Sequence, residues 1–113
     1  MFAVIRHYRF DKKDSAAIDR AIREEFVPIV QKAKGFQSYY WVDTGEGEGA
    51  SFGIFNDKAG ADESVHLAAD YVRERLSKLL MQKPELIEGP ITAMASETRT
   101  DIGRSFVNRI DVA

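Results

Sequence analysis

The chain has 113 residues, with 16 Lys and Arg against 18 Asp and Glu, for a formal net charge of -2. Its 44% apolar and 30% charged residues are ordinary globular composition, which excludes a disordered chain, a collagen-like repeat and a coiled-coil rod. The absence of cysteine excludes disulfide scaffolds, thiolate metal sites and cysteine nucleophiles.

Phe2 to Phe10 alternates β-branched and aromatic residues with others and predicts a strand. Asp11 to Ser15 offers N-cap side chains. Ile18, Ile22, Phe26, Ile29, Val30 and Ala33 then recur at helical spacing, an amphipathic stripe. Pro28 lies inside that helix and is expected to bend it, because it lacks a backbone donor. Lys32, Lys34 and Gly35 are C-terminal signals.

Phe36 to Val42 predicts a second strand, 43–49 a turn, and Ala50 to Asn56 a third strand forming a hairpin with the second. Val65, Ala68, Ala69, Val72, Leu76 and Leu79 line one face of a second helix, which Pro84 ends. Ile91 to Ser96 reads as a fourth strand, and Phe106 to Val112 as a short fifth strand or ordered tail. The resulting β-α-β-β-α-β order is the α+β, ferredoxin-like motif, with one four-stranded antiparallel sheet and both helices on one face. A single domain is expected over residues 1–96, followed by a C-terminal tail, 97–113.

Arg6, His7 and Arg9 interrupt the apolar N-terminal segment, so no secretory leader is expected. The longest apolar stretch, 26–30, falls far short of the roughly 20 residues that span a bilayer. A cytoplasmic protein is the expectation, with no membrane association. Interspersed charges leave no basic footprint, so no nucleic-acid partner is expected.

The motif leaves one sheet face uncovered. Phe36 follows the Gly35 cap, where contact back onto the helix is common, and this places Ser38, Tyr40 and Val42 under the helices as well. Tyr39 and Trp41 then face away, joined by Ser51, Gly53 and Phe55 from the third strand and by Met94. The first strand is open to either assignment. The cost of desolvating an arginine favours Arg6 and Tyr8 on the open face. Such an aromatic face predicts a homodimer through the open sheet face and room for a small aromatic ligand beside Gly53.

The segment Phe26-Val27-Pro28 running into Lys34-Gly35-Phe36, the aromatic strand 36–42 and the stretch 63–72 (ESVHLAADYV) carry a resemblance. Over roughly 2–96 the chain resembles the antibiotic biosynthesis monooxygenase-like domains of the dimeric α+β-barrel superfamily. The resemblance implies a homodimer whose sheets pack into a barrel. It also implies activities that range from cofactor-free oxygenation of aromatic polyketides and quinols, through haem degradation, to none established. Haem-degrading members carry a first-strand Asn, a Trp and a second-helix His. Here only His66 is in place, which speaks against haem degradation.

The candidate bases are His66, at the flank of the second helix's apolar stripe, and His7. Trp41, Tyr39 and Phe55 are candidates for stacking on a flat substrate, and Arg6 for holding its anion or oxyanion. Leu67 and Tyr71 form an i,i+4 pair expected to point away from the core. The 43–49 turn lacks the spacing of a phosphate loop, and its carboxylates are expected to be solvated rather than metal-bound. No cofactor and no metal are expected. These readings converge on a cofactor-independent monooxygenase acting on a small aromatic, phenolic or quinol compound in a cavity between sheet and helices. The alternative is a non-catalytic dimeric ligand-binding or structural domain.

Overall fold

The computed structural model describes residues 1–97. Strands β1 (Phe2–Arg9), β2 (Phe36–Asp43), β3 (Glu48–Phe55) and β4 (Glu85–Pro90) form one antiparallel sheet in the order β2-β3-β1-β4. Helix α1 runs through Ser15–Ala21, a π-helical stretch Ile22–Phe26 and Val27–Val30. Helix α2 covers Lys58–Tyr71 and continues as a π-helical stretch, Val72–Leu76. The expected α+β, ferredoxin-like order is present. The suggested fifth strand, 106–112, lies outside the described residues.

The local signals act as expected. The Asp57 side chain accepts from Gly60 N–H and opens α2. Ile18, Ile22, Phe26 and Val30 are the buried stripe of α1. Pro28 has no N–H to donate and crowds the preceding turn. The helix answers with one wider turn, in which Val27 N–H bonds Ile22 C=O. Gly35 takes a φ of +71°, which a side chain resists, and its carbonyl accepts from Asn56 N–H at 2.8 Å.

The strand faces differ from the expected ones in a connected way. Phe36 pairs with Phe55, but Ser38 pairs with Ile54, so β2 carries an extra residue at Gln37. A one-residue bulge moves every later side chain to the other face. Phe36 does lie against Phe55, with ring centroids 6.1 Å apart. Beyond the bulge, Tyr39 and Trp41 turn under the helices, while Tyr40 and Val42 face outward.

On β3, Phe55 is buried in the core and Phe52 and Ile54 lie on the open face, the reverse of the expectation. Small residues on the helix side of β3 make room for the aromatics of β2. A Cβ at Gly49 would sit 2.6 Å from the Trp41 ring, and one at Gly53 would sit 2.9 Å from Phe55. Gly53 therefore seats Phe55 rather than leaving a gap for a ligand.

Strand β1 turns Val4, Arg6, Tyr8 and Phe10 toward the helices and His7 away from them, so Arg6 and Tyr8 are not on the open face. The fourth strand begins directly after Pro84 rather than at Ile91. The segment 91–97 has no strand, and Met94 there is exposed. On α2 the buried set is Gly60, Ala61, Ser64, Ala68, Tyr71 and Leu76, rotated from the expected stripe. Tyr71 is in the core. It lies 5.4 Å from Phe26 ring to ring, and its hydroxyl donates to Glu25 at 2.7 Å, with the Ala21 carbonyl oxygen 3.1 Å away.

Candidate functional site

The rotation of α2 leaves part of its apolar stripe unpacked. Val65, Ala69 and Val72 face a cavity of about 820 Å³ between α2 and the outer part of the sheet. Leu86 from β4 and Arg6 from β1 form its sheet side, and Leu80, Gln82, Lys83 and Pro84 its far end. That end is fixed to the sheet. Met81 N–H donates to Arg9 C=O at 2.9 Å, and Phe10 bridges to Leu80. The lining is mainly apolar with a few polar groups, the usual make-up of a small-molecule site.

Arg6 is the unusual member. It is only 9% exposed, and no carboxylate lies in ion-pair contact with it among the described residues. Its Nε donates to Tyr8 Oη at 3.1 Å, and its guanidinium carbon lies 5.9 Å from the Tyr8 ring centroid. The desolvation cost that favoured the open face is reduced by this contact and by the cavity into which the side chain extends. The other cations lining the cavity are Arg73, paired with Asp70 at 2.8 Å, and Lys83.

Neither histidine lines this cavity. His66 is exposed on α2. His7 lies on the opposite face of the sheet, with Nε2 2.8 Å from Glu48 and Nδ1 3.0 Å from Glu85. The hydrogen bond to Glu85, then that to Glu48, raises its pKa above the ordinary histidine value.

Tyr39 and Trp41 line a different cleft, about 370 Å³, between α1 and β2. Trp41 Nε1 donates to Asp19 at 2.8 Å, and its ring meets Tyr8 edge-on at 5.2 Å. Burial, joined by the neighbouring Asp43, pushes the Asp19 carboxyl up. Burial works against the charge of Asp43, but hydrogen bonds from Asp19, Gly45 N–H and Ser15 outweigh it and hold Asp43 low. Burial also raises the Tyr39 hydroxyl above its usual range. Among the described residues no group of acids and histidines is arranged to hold a metal.

The sequence offers Arg6 as a candidate for holding a ligand's anion and favours the open face for it, whereas the structure turns it toward the helices and into the lining of this cavity. Leu80, Lys83 and Leu86, which share that lining, carry no mark in the sequence reading. The available signal was the width of the α2 stripe. Val65, Ala69 and Val72 exceed what one packed face takes up, so some of them had to line something else.

No family model matches the chain, and no curated protein matches it in sequence. Solved structures do match in fold. A protein of unknown function from Nitrosomonas europaea superposes with a TM-score of 0.71 at 17% identity, over 87% of this chain and 95% of that one. A monooxygenase from the gene ActVA-Orf6 of Streptomyces coelicolor, solved with nanaomycin D, gives 0.67 at 16% identity, over 85% and 92%. A dimeric ferredoxin-like protein from an uncultured marine organism gives 0.65 at 11% identity, over 85% and 98%. The chain thus has the ferredoxin-like fold of the antibiotic biosynthesis monooxygenase-like proteins. Among the described residues no helix is long and apolar enough to cross a membrane.

Proposed function

We propose that the protein is a cofactor-independent monooxygenase acting on a small phenolic or quinol compound held in the cavity between α2 and β4. The observation that carries this reading is the mainly apolar 820 Å³ cavity with an arginine at its base that no carboxylate neutralises among the described residues. The likeness in fold to a monooxygenase solved with nanaomycin D supports it. A phenol with a free ring position supplies all the electrons required. One oxygen atom enters the ring, which becomes a quinone, and the other leaves as water with the two displaced hydrogens. No external reductant is consumed. In this reading Val65, Val72 and Leu86 exclude water from the ring and Arg6 faces its oxygen. His66 and His7, outside the cavity, have no direct part. Tyr39, Trp41 and Phe55 shape the floor of the fold rather than stack on the ligand.

We further propose that the open sheet face pairs with a second copy of the chain. Ile5, Tyr40, Val42, Phe52, Ile54 and Ile87 share that face, and Val42 and Ile87 are 49% and 68% exposed. A patch of this kind on an isolated sheet calls for a partner.

Oxygen consumption by the purified protein with a panel of phenols, quinols and anthrones tests the enzymatic reading. Uptake without added flavin, haem or metal, with quinone formed, supports it. Tight binding of the same compounds without uptake favours the alternative, a ligand-binding domain.

A further inference from the structure

We infer that the cavity selects ligands that are already ionised, small organic monoanions, rather than neutral phenols that the protein deprotonates. The inference rests on the reading of the α2–β4 cavity as a ligand site and adds to it the charge state of the ligand.

Two observations carry it. The first is Arg6, nine-tenths buried, lining the cavity and free of any carboxylate among the described residues. Arginine keeps its charge across the physiological range, and burying that charge unpaired is costly. Only Nε is occupied, by the Tyr8 hydroxyl, so the remaining guanidinium donors are available to an oxyanion. The second is the rest of the polar lining. It consists of Arg73, Lys83, Ser77 and Gln82, with no aspartate, glutamate or histidine among the described lining residues. Nothing there is suited to take a proton from a phenol held against Arg6. Of the carboxylates nearest in sequence to this lining, Asp70 and Glu74 are engaged by the lining residue Arg73 rather than by Arg6, and Glu85 reaches His7 across the sheet. A neutral phenol would leave the arginine unpaired, whereas an anion pairs it. An acidic enol or hydroxyquinone and an aromatic carboxylate share this chemistry.

The test uses 7-hydroxycoumarin, a bicyclic phenol that ionises just above neutrality, and 7-methoxycoumarin, which cannot ionise. Binding is followed by fluorescence between pH 6 and 9, with 2-naphthoate as a carboxylate arm. The phenol's affinity should rise about tenfold per pH unit below its own pKa and level off above it. The methyl ether should bind about 10–100-fold more weakly than the phenolate, without a slope. Arg6→Met should abolish the difference, Arg6→Lys should keep part of it, and His7→Gln, on the other sheet face, should leave it unchanged. Naphthoate binding lost with Arg6→Met would extend the site to carboxylates. Weaker binding of naphthoate than of the methyl ether would confine the anion to an ionised hydroxyl. Equal, pH-independent affinity for phenol and ether in the wild-type protein overturns the inference and leaves the cavity as a ligand site. If none of the three probes binds, both readings fall. The wild-type comparison stands even where Arg6→Met fails to fold.

Discussion

Trp41 shows how much a single residue's meaning depends on which face it occupies. It holds an edge-on contact with Tyr8, lies 6.4 Å from Phe10 and donates to Asp19. Its replacement by alanine is therefore a core lesion rather than an interface one. Trp41→Ala should lower stability by about 3 kcal/mol, read as a shift of the urea midpoint. Gly60 is a second such position. A Cβ there would stand 1.9 Å from the Lys34 carbonyl, a backbone atom that cannot rotate away. Gly60→Ala should cost about 2–3 kcal/mol through the forced separation of α2 from the loop before β2. A change below about 0.5 kcal/mol in the same measurement would mean that this contact is looser than the geometry shows. His7 gives the residue-scale dependence on pH. Its folded pKa is raised above 6.5, chiefly by Glu85 and then by Glu48. Its contribution is thus fully present below 6.5 and is lost as pH rises through the higher folded value. Stability measured by denaturation from pH 6 to 9 should fall over that window, and His7→Gln should flatten the fall.

At the scale of elements, α2 does two jobs with two adjoining stripes. Ala61, Ser64, Ala68, Tyr71 and Leu76 pack on the sheet and α1, while Val65, Ala69 and Val72 line the cavity. The π-helical stretch Val72–Leu76 changes the helical phase between them, so Leu76 is 1% exposed although Val72 is only half-buried. Leu76→Ala should cost about 2–5 kcal/mol by leaving a cavity in the core. Val72→Ala should cost much less stability and change ligand affinity instead. Parallel unfolding and binding measurements separate these two outcomes. The same logic explains the loop after α2. Its bond from Met81 N–H to Arg9 C=O closes the cavity's end while leaving Gln82 and Lys83 at its rim.

For the whole molecule, the consequence lies on the uncovered sheet. Ile87→Lys places a charge on the edge strand of the proposed dimer face without touching the core, since Ile87 is 68% exposed. Sedimentation should show the wild-type protein at twice the chain mass and Ile87→Lys at one, with unchanged far-UV dichroism. A monomeric wild-type protein at micromolar concentration would remove the dimer. What the sequence alone determined was local: the order of elements, the α1 stripe from Ile18 to Val30 and a disturbance of that helix at Pro28. Each depends on residues within a turn or two of one another, so periodicity and backbone chemistry suffice to read it. The faces of the strands were decided by the tertiary structure. One extra residue at Gln37 inverted Tyr39 and Trp41, and a two-residue period has no memory of the face once a bulge is crossed. Pairing with β1 and β2 then put Gly49, Ser51 and Gly53 beneath the helices, where the aromatics of β2 needed the space. Arg6 went under α2 for a reason the sequence does not contain: only the assembled helix, strand and loop enclose a cavity into which its charge can reach.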